Sequence, residues 1–161
     1  MVIHLKKGRD GPSTLTCVRD DGSRTWGKEH PCFPLHDLTH CAVESVLGLD
    51  KAFFGLIATG WDIDDFAKPG ASATMPLQAF IAEHIVGILD RERALPQPLT
   101  AAEVNEAVCA SIAPRDRPHF QPITDTQLAT VRALRSVLEG RWQALQPGAT
   151  LEIKFPAQAA A

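Results

Sequence analysis

The chain has 161 residues, of which 45% are apolar and 22% charged, and its formal net charge is −3. This balance is typical of a soluble globular protein, without the basic field that favours nucleic acid or the roughly 20-residue apolar run that spans a bilayer. The first ten residues hold no apolar stretch of the signal-peptide kind, so we expect a cytoplasmic protein with neither nucleic acid nor a membrane as partner.

The two ends of the chain carry the strand signals. Alternating apolar side chains, separated by Gly-rich and Asp-Gly turns, predict a three-stranded antiparallel meander over residues 2–6, 15–19 and 24–27. A clean alternation over residues 151–155 predicts one more strand. Its backbone groups need partners, and the N-terminal meander is the sheet available to supply them.

Helical periodicity dominates the middle of the chain. Pro34 suits the first turn of a helix that ends near Leu47, before Gly48. Further helices are predicted over residues 51–59, 75–94, 101–113 and 124–145, and Thr100 with Glu103 forms a capping box before the fourth helix. In the last helix we expect a solvated face that carries Arg132, Arg135 and Arg141.

These elements predict an α+β fold in which about five helices cover one face of a small antiparallel sheet. The N-terminal meander and the C-terminal strand form that sheet. The sequence shows no internal repeat and no linker, so we expect a single domain over residues 1–156. Residues 157–161 are expected to form a disordered tail.

The most informative motif lies in the first predicted helix, where His36 and His40 are four residues apart. Imidazoles at this spacing share a helix face, which is how a helix presents two nitrogens to one metal ion. The main apolar stripe of the helix points away from them, yet Val43 and Leu47 bracket the histidine row with apolar surface. We therefore expect another element to cover the histidines.

The helix predicted over residues 75–94 offers a third ligand. On a helical wheel His84 lies within an apolar stripe, and a buried imidazole must be hydrogen-bonded or bound to something. His36, His40 and His84 would then hold a divalent transition metal, with zinc favoured, and leave one position open as catalytic sites do. In the alternative interpretation, His84 is an ordinary core histidine, and the spacing of His36 and His40 arises by chance.

Two carboxylates of the first helix are candidates for supporting roles. Glu44 lies too far along the helix to share one ion with both histidines, so we expect it to accept the proton of His40 and fix its tautomer. An ordinary i, i+4 neighbour would show the same spacing. Asp37 is a candidate general base, although acids in the first helical turn are also favoured by the helix dipole.

The segment His36-Asp37-x-x-His40 is similar to the HExxH motif of zinc metalloproteases over five residues. Here an aspartate stands where the family has its general-base glutamate. The side chain is one methylene shorter and would fall short of a metal-bound water. This departure argues against proteolysis.

Cys32 allows a different ligand set, because it precedes His36 by four residues. Together with the three histidines it would form a closed CysHis3 zinc site, which is structural. The four cysteines form no CxxC pair, and in a reducing compartment we expect free thiols.

An acidic loop contains Asp62, Asp64 and Asp65 between Trp61 and Phe66. The spacing is not that of an EF-hand, so we interpret Asp62 or Asp64 as the cap of a turn and the aromatic residues as anchors. If the histidine site is catalytic, this loop is the expected wall of its pocket.

The sequence therefore predicts a metal-binding protein that acts as a metal-dependent hydrolase on a small-molecule substrate. The alternative belongs to another class: a non-enzymatic interaction or dimerisation module whose histidines line a helix interface. A homodimer is compatible with either function.

Overall fold

Four antiparallel strands form the sheet predicted from the two ends of the chain. The computed structural model describes residues 1–29, 33–114 and 116–157. Within these ranges the strands are β1 (Val2–Lys6), β2 (Ser13–Val18), β3 (Arg24–Glu29) and β4 (Thr150–Lys154), in the order β3-β2-β1-β4. The C-terminal strand pairs with β1, which confirms the pairing expected from its alternation.

Apolar side chains in register form the covered face of this sheet. One row joins Ile3 to Cys17 on one side and to Ile153 on the other. The next row consists of Leu15, Leu5 and Leu151, and every residue of both rows is buried. Because successive side chains of a strand point to opposite faces, the second face is left for the more polar residues.

The described ranges contain six α-helices, and the architecture is the predicted α+β class. They are α1 (Phe33–Leu47), α2 (Phe53–Ala58), α3 (Ala71–Thr74), α4 (Leu77–Glu92), α5 (Ala101–Ser111) and α6 (Asp125–Ala144). The short helix α3 and a 3₁₀ helix, Ile63–Ala67, lie between the helices predicted over residues 51–59 and 75–94. None of the described helices is both long enough and apolar enough to cross a bilayer.

Helix α1 lies at the centre of the helical layer, where it packs against α2, α4 and α6. Its residues 37–44 are all buried, including the polar residues Asp37, His40 and Glu44. Polar groups in such a position must find partners inside the protein. The expectation that another element covers the histidine row is confirmed, and α4 is one such element.

Arg132 and Arg135 of α6 lie against the carboxylate of Glu92 at the end of α4, so their expected solvated position was wrong. The Glu92 side chain is only 5% exposed. Arg132 Nε donates to Glu92 Oε2 at 3.1 Å, and the backbone N–H of Leu99 donates to Glu92 Oε1 at 2.8 Å. The periodicity of α6 identified its apolar positions, but it could not show that a neighbouring helix supplies a buried acid.

We expect Glu92→Gln to lower the free energy of unfolding by about 2 kcal/mol, because it leaves Arg132 without a charged partner. Burial alone would raise the pKa of Glu92, but the hydrogen bonds from Arg132 and Leu99 outweigh burial and hold it below the ordinary 4.5. The stabilisation is therefore complete above that value and is lost as the pH falls through the lowered pKa.

Urea denaturation at neutral and acidic pH measures this contribution, with Glu106→Gln as the matched control. Glu106 is exposed on α5, so its replacement should change stability by less than about 0.5 kcal/mol. A difference between parent and Glu92→Gln that stays constant down to acidic pH would contradict the proposed ion pair.

Candidate metal centre

The two histidines of α1 face Glu83 of α4. His40 Nε2 lies 3.2 Å from Glu83 Oε1, and His36 Nε2 lies 4.0 Å from Glu83 Oε2. One ligand atom from each of the three residues lies within 4.8 Å of the other two. Ligand atoms bound at 2.0–2.1 Å around a tetrahedral zinc ion are about 3.4 Å apart. Small side-chain movements would therefore bring these three ligands to one ion.

The predicted third ligand, His84, is replaced by its neighbour Glu83. Among the described residues His84 does not belong to the cluster, and it is only partly buried. The completely buried positions of α4 are Ala82, Val86 and Leu89, which define a stripe that is rotated away from His84. The wheel placed the centre of this stripe incorrectly, because Leu77 and Phe80, which are not buried, are apolar on a neighbouring part of the helix surface.

Each imidazole also contacts a carboxylate through its other nitrogen. His36 Nδ1 lies 2.8 Å from Asp90 Oδ2, and His40 Nδ1 lies 3.1 Å from Glu44 Oε1. Donation of the Nδ1 proton to a carboxylate fixes the ring orientation and leaves the Nε2 lone pair for a metal. Both Nε2 atoms are therefore presented to the side of the cluster that holds Glu83.

Glu44 makes the contact with His40 that its spacing predicted, and a second contact that local sequence could not reveal. Its Oε2 accepts the backbone N–H of Gly55 at 3.1 Å, and its side chain is fully buried. Gly55 lies in the first turn of α2, where backbone N–H groups have no partner within the helix. The carboxylate is therefore fixed between a neighbouring helix end and the imidazole.

Asp90 is held by a charged network on the opposite side of the site. Thr39 donates its hydroxyl to Asp90 Oδ1 at 3.2 Å, and Arg93 binds both Asp90 and Glu139 of α6. Glu83 and Asp90 are separated by two helical turns and share one face of α4. Sequence reasoning missed both, although two acids at this spacing opposite a histidine pair would have been a usable signal.

The cluster strongly favours positive charge at its centre. Burial alone would lower the pKa of His40, but the hydrogen bonds to Glu44 and Glu83 outweigh burial and raise it to about 10. The hydrogen bond with His40 in turn lowers the pKa of Glu83. Either a proton on His40 or a bound cation would satisfy these carboxylates.

The cluster opens into a cavity of about 480 Å³ that includes the buried side chain of Asp37. The 3₁₀ helix Ile63–Ala67 forms part of the wall through Ile63, Phe66 and Ala67, as the sequence predicted for this loop. Asp62, one of the two predicted caps, forms a capping box with Asp65 at the start of this 3₁₀ helix. The cavity has the size of a small-molecule site.

The CysHis3 alternative depends on Cys32, which lies outside the described residues. The described residues Cys41 and Cys109 are free thiols. His84, the fourth member of that set, does not join His36 and His40. The described cluster therefore consists of two imidazoles and one carboxylate.

No protein-family model matches this chain, and no significant match is found among curated proteins or solved structures. The geometry of the site is therefore the basis for a functional proposal.

We expect Gly55→Ala to lower the free energy of unfolding by about 1–3 kcal/mol, since overpacking has this cost. A Cβ atom at Gly55 would lie 2.2 Å from the carbonyl oxygen of Asp50, so the first turn of α2 must shift away from Asp50. Gly140→Ala is the matched control, because a Cβ there meets nothing within 4 Å and alanine favours the interior of α6. Thermal unfolding of both variants checks this, and equal effects would contradict the close packing at Gly55.

Proposed function

We propose that the protein is a metal-dependent hydrolase in which His36, His40 and Glu83 hold a zinc ion. The observation that carries this proposal is that both imidazoles are backed by carboxylates at Nδ1 and share Glu83 at Nε2. Two histidines and one glutamate form the protein ligand set of a class of catalytic zinc sites. The adjoining cavity gives a substrate access to the remaining coordination position.

Zinc in such a site lowers the pKa of a bound water towards 7 and polarises the carbonyl or phosphoryl oxygen of the substrate. The chain supplies the rest of the chemistry. Asp37 follows His36 directly and lines the same cavity. Its side chain is too short to reach the attacking water directly, so we assign it the role of a general base that accepts the proton through one intervening water. Glu44 and Asp90 are positioning residues that hold the two imidazoles.

The alternative of a non-enzymatic interaction or dimerisation module is less well supported by the geometry. His40 is only 2% exposed, whereas an interface histidine would need to reach the surface. A cytoplasmic location and a homodimer stay predictions and form part of the proposal.

Metal content tests the ligand set. Protein that is purified untagged and without chelator should carry about one equivalent of zinc. Glu83→Gln and His40→Ala should lose most of it, because each removes one of three ligands. Elemental analysis measures this and also identifies iron(II), which binds the same ligand types in oxygenases.

His84→Ala is the matched control, since His84 is the neighbour of Glu83 and an equally available metal-binding residue. It should keep the metal of the parent. Loss of metal in His84→Ala with retention in Glu83→Gln would restore the three-histidine set. A parent that binds no metal even after reconstitution would overturn the proposal.

Asp37→Asn tests the enzymatic role. The zinc-loaded variant should retain its metal and hydrolyse p-nitrophenyl acetate at least about 100-fold more slowly than the parent, because general-base catalysis is lost. Asp64→Asn, at an exposed position of the neighbouring loop, is the control and should keep the parental rate. An unchanged rate in Asp37→Asn would exclude this base, and an inactive zinc-loaded parent would exclude esterase activity.

A further inference from the structure

A row of aromatic rings leads away from His40. The ring centroid of Phe53 lies 5.6 Å from that of His40, and the centroid of Phe66 lies 4.8 Å from that of Phe53. Trp61 packs behind Phe66 with a centroid separation of 5.2 Å. Phe53 and Phe66 line the cavity, whereas Trp61 supports the row from outside. The metal centre therefore lies at one end of an aromatic wall.

Apart from the three candidate ligands, Asp37 and Lys28, the rest of the described lining is also apolar. It includes Ile63, Ala67 and Met75, and Phe33, whose ring lies 6.0 Å from that of His36, is half exposed at the margin. Removal of apolar surface from water favours binding of an apolar group at such a wall. The packed rings also provide a preformed surface, so that little ordering is needed on binding.

The charges around the cavity do not favour a strongly anionic substrate. Asp37 and Glu83 are the described acidic residues in the lining, and Lys28 is its described lysine. With neutral imidazoles, a divalent ion would balance the two carboxylates. Lys28 is exposed on the edge strand β3, so solvent and salt screen its attraction for an anionic substrate. We therefore expect the apolar wall to determine which substrates bind.

Building on the proposed zinc site, we propose that the substrate is an uncharged carboxylic ester or amide with an apolar acyl group. The acyl group lies along Phe53 and Phe66 and places the carbonyl carbon beside His36, His40 and Glu83. Water adds through its oxygen to that carbon, and the C–O or C–N bond breaks. The proton taken by Asp37 passes to the leaving oxygen or nitrogen, which gives a carboxylic acid and an alcohol or amine.

Hydroxamates test the zinc site and the apolar wall separately, because their head group chelates zinc regardless of the length of the acyl chain. Calorimetry with the zinc-loaded protein would compare acetohydroxamate with octanohydroxamate. Octanohydroxamate should bind at least about tenfold more tightly, since its additional methylenes are buried against the wall. The affinity for acetohydroxamate measures binding at the metal centre, and the ratio of the two affinities measures the contribution of the apolar wall.

Two variants test where the chain binds. Phe66→Ala should reduce the affinity ratio several-fold and leave acetohydroxamate binding unchanged. Ala67→Trp, at an exposed position of the lining, should do the same by filling the cavity. Because Ala67→Trp removes no core side chain, it keeps the test valid if Phe66→Ala fails to fold. Phe80→Ala is the control, since Phe80 is exposed on α4 and does not line the cavity.

The outcomes distinguish the two proposals. A protein that binds neither zinc nor either hydroxamate would overturn the proposed function itself. Acetohydroxamate binding without any gain for octanohydroxamate would overturn the substrate class and leave the metal centre intact. A gain that persists in both Phe66→Ala and Ala67→Trp would also overturn it, because the chain would then lie elsewhere.

Discussion

The buried pair of His40 and Glu44 is the constraint on which the arrangement around α1 depends. Two ionisable side chains in the centre of a helical layer are costly unless every polar atom is bonded. Glu44 satisfies its second oxygen with the backbone of Gly55, which requires the first turn of α2 to approach closely. His40 satisfies its second nitrogen with Glu83 of α4. One local pair thus adds polar contacts from α1 to two other helices, whose buried residues are otherwise mainly apolar.

Both histidines contact a carboxylate through Nδ1, but the two carboxylates are held by different groups. Behind His40 the support is Glu44, whose second oxygen accepts the backbone N–H of Gly55 in a fully buried setting. Behind His36 the support is Asp90, which depends on Thr39 and Arg93 and, through Arg93, on Glu139 of α6. Rotation of either ring would break a charged hydrogen bond, so both Nε2 atoms are preorganised towards Glu83. This preorganisation is what distinguishes the cluster from a chance meeting of histidines.

Local sequence patterns were sufficient to predict much of the fold, but at the site they predicted the residues of α1 and not those of α4. The sheet followed from two-residue alternation, and the contact of His40 with Glu44 followed from helical spacing, because both depend on neighbours within one element. Glu83 and Asp90 depend on how α4 is rotated against α1, and a wheel of α4 alone cannot supply that angle. The same limit explains Arg132, which looked solvated until Glu92 of α4 was placed beside it. Contacts between elements were the missing information.

Phe53 links the candidate metal centre to the aromatic wall, so a variant that tests the wall alone must lie beyond Phe53. Its ring contacts His40 on one side and Phe66 on the other, so it both shields the imidazole from water and begins the apolar surface. Exclusion of water strengthens the charge interactions of His40 with its two carboxylates. If the proposed function holds, a change at Phe53 would therefore disturb metal binding and substrate binding together. Phe66 contacts Phe53 and Trp61 in this aromatic row, so its replacement is expected to change substrate binding and to leave the candidate metal ligands in place.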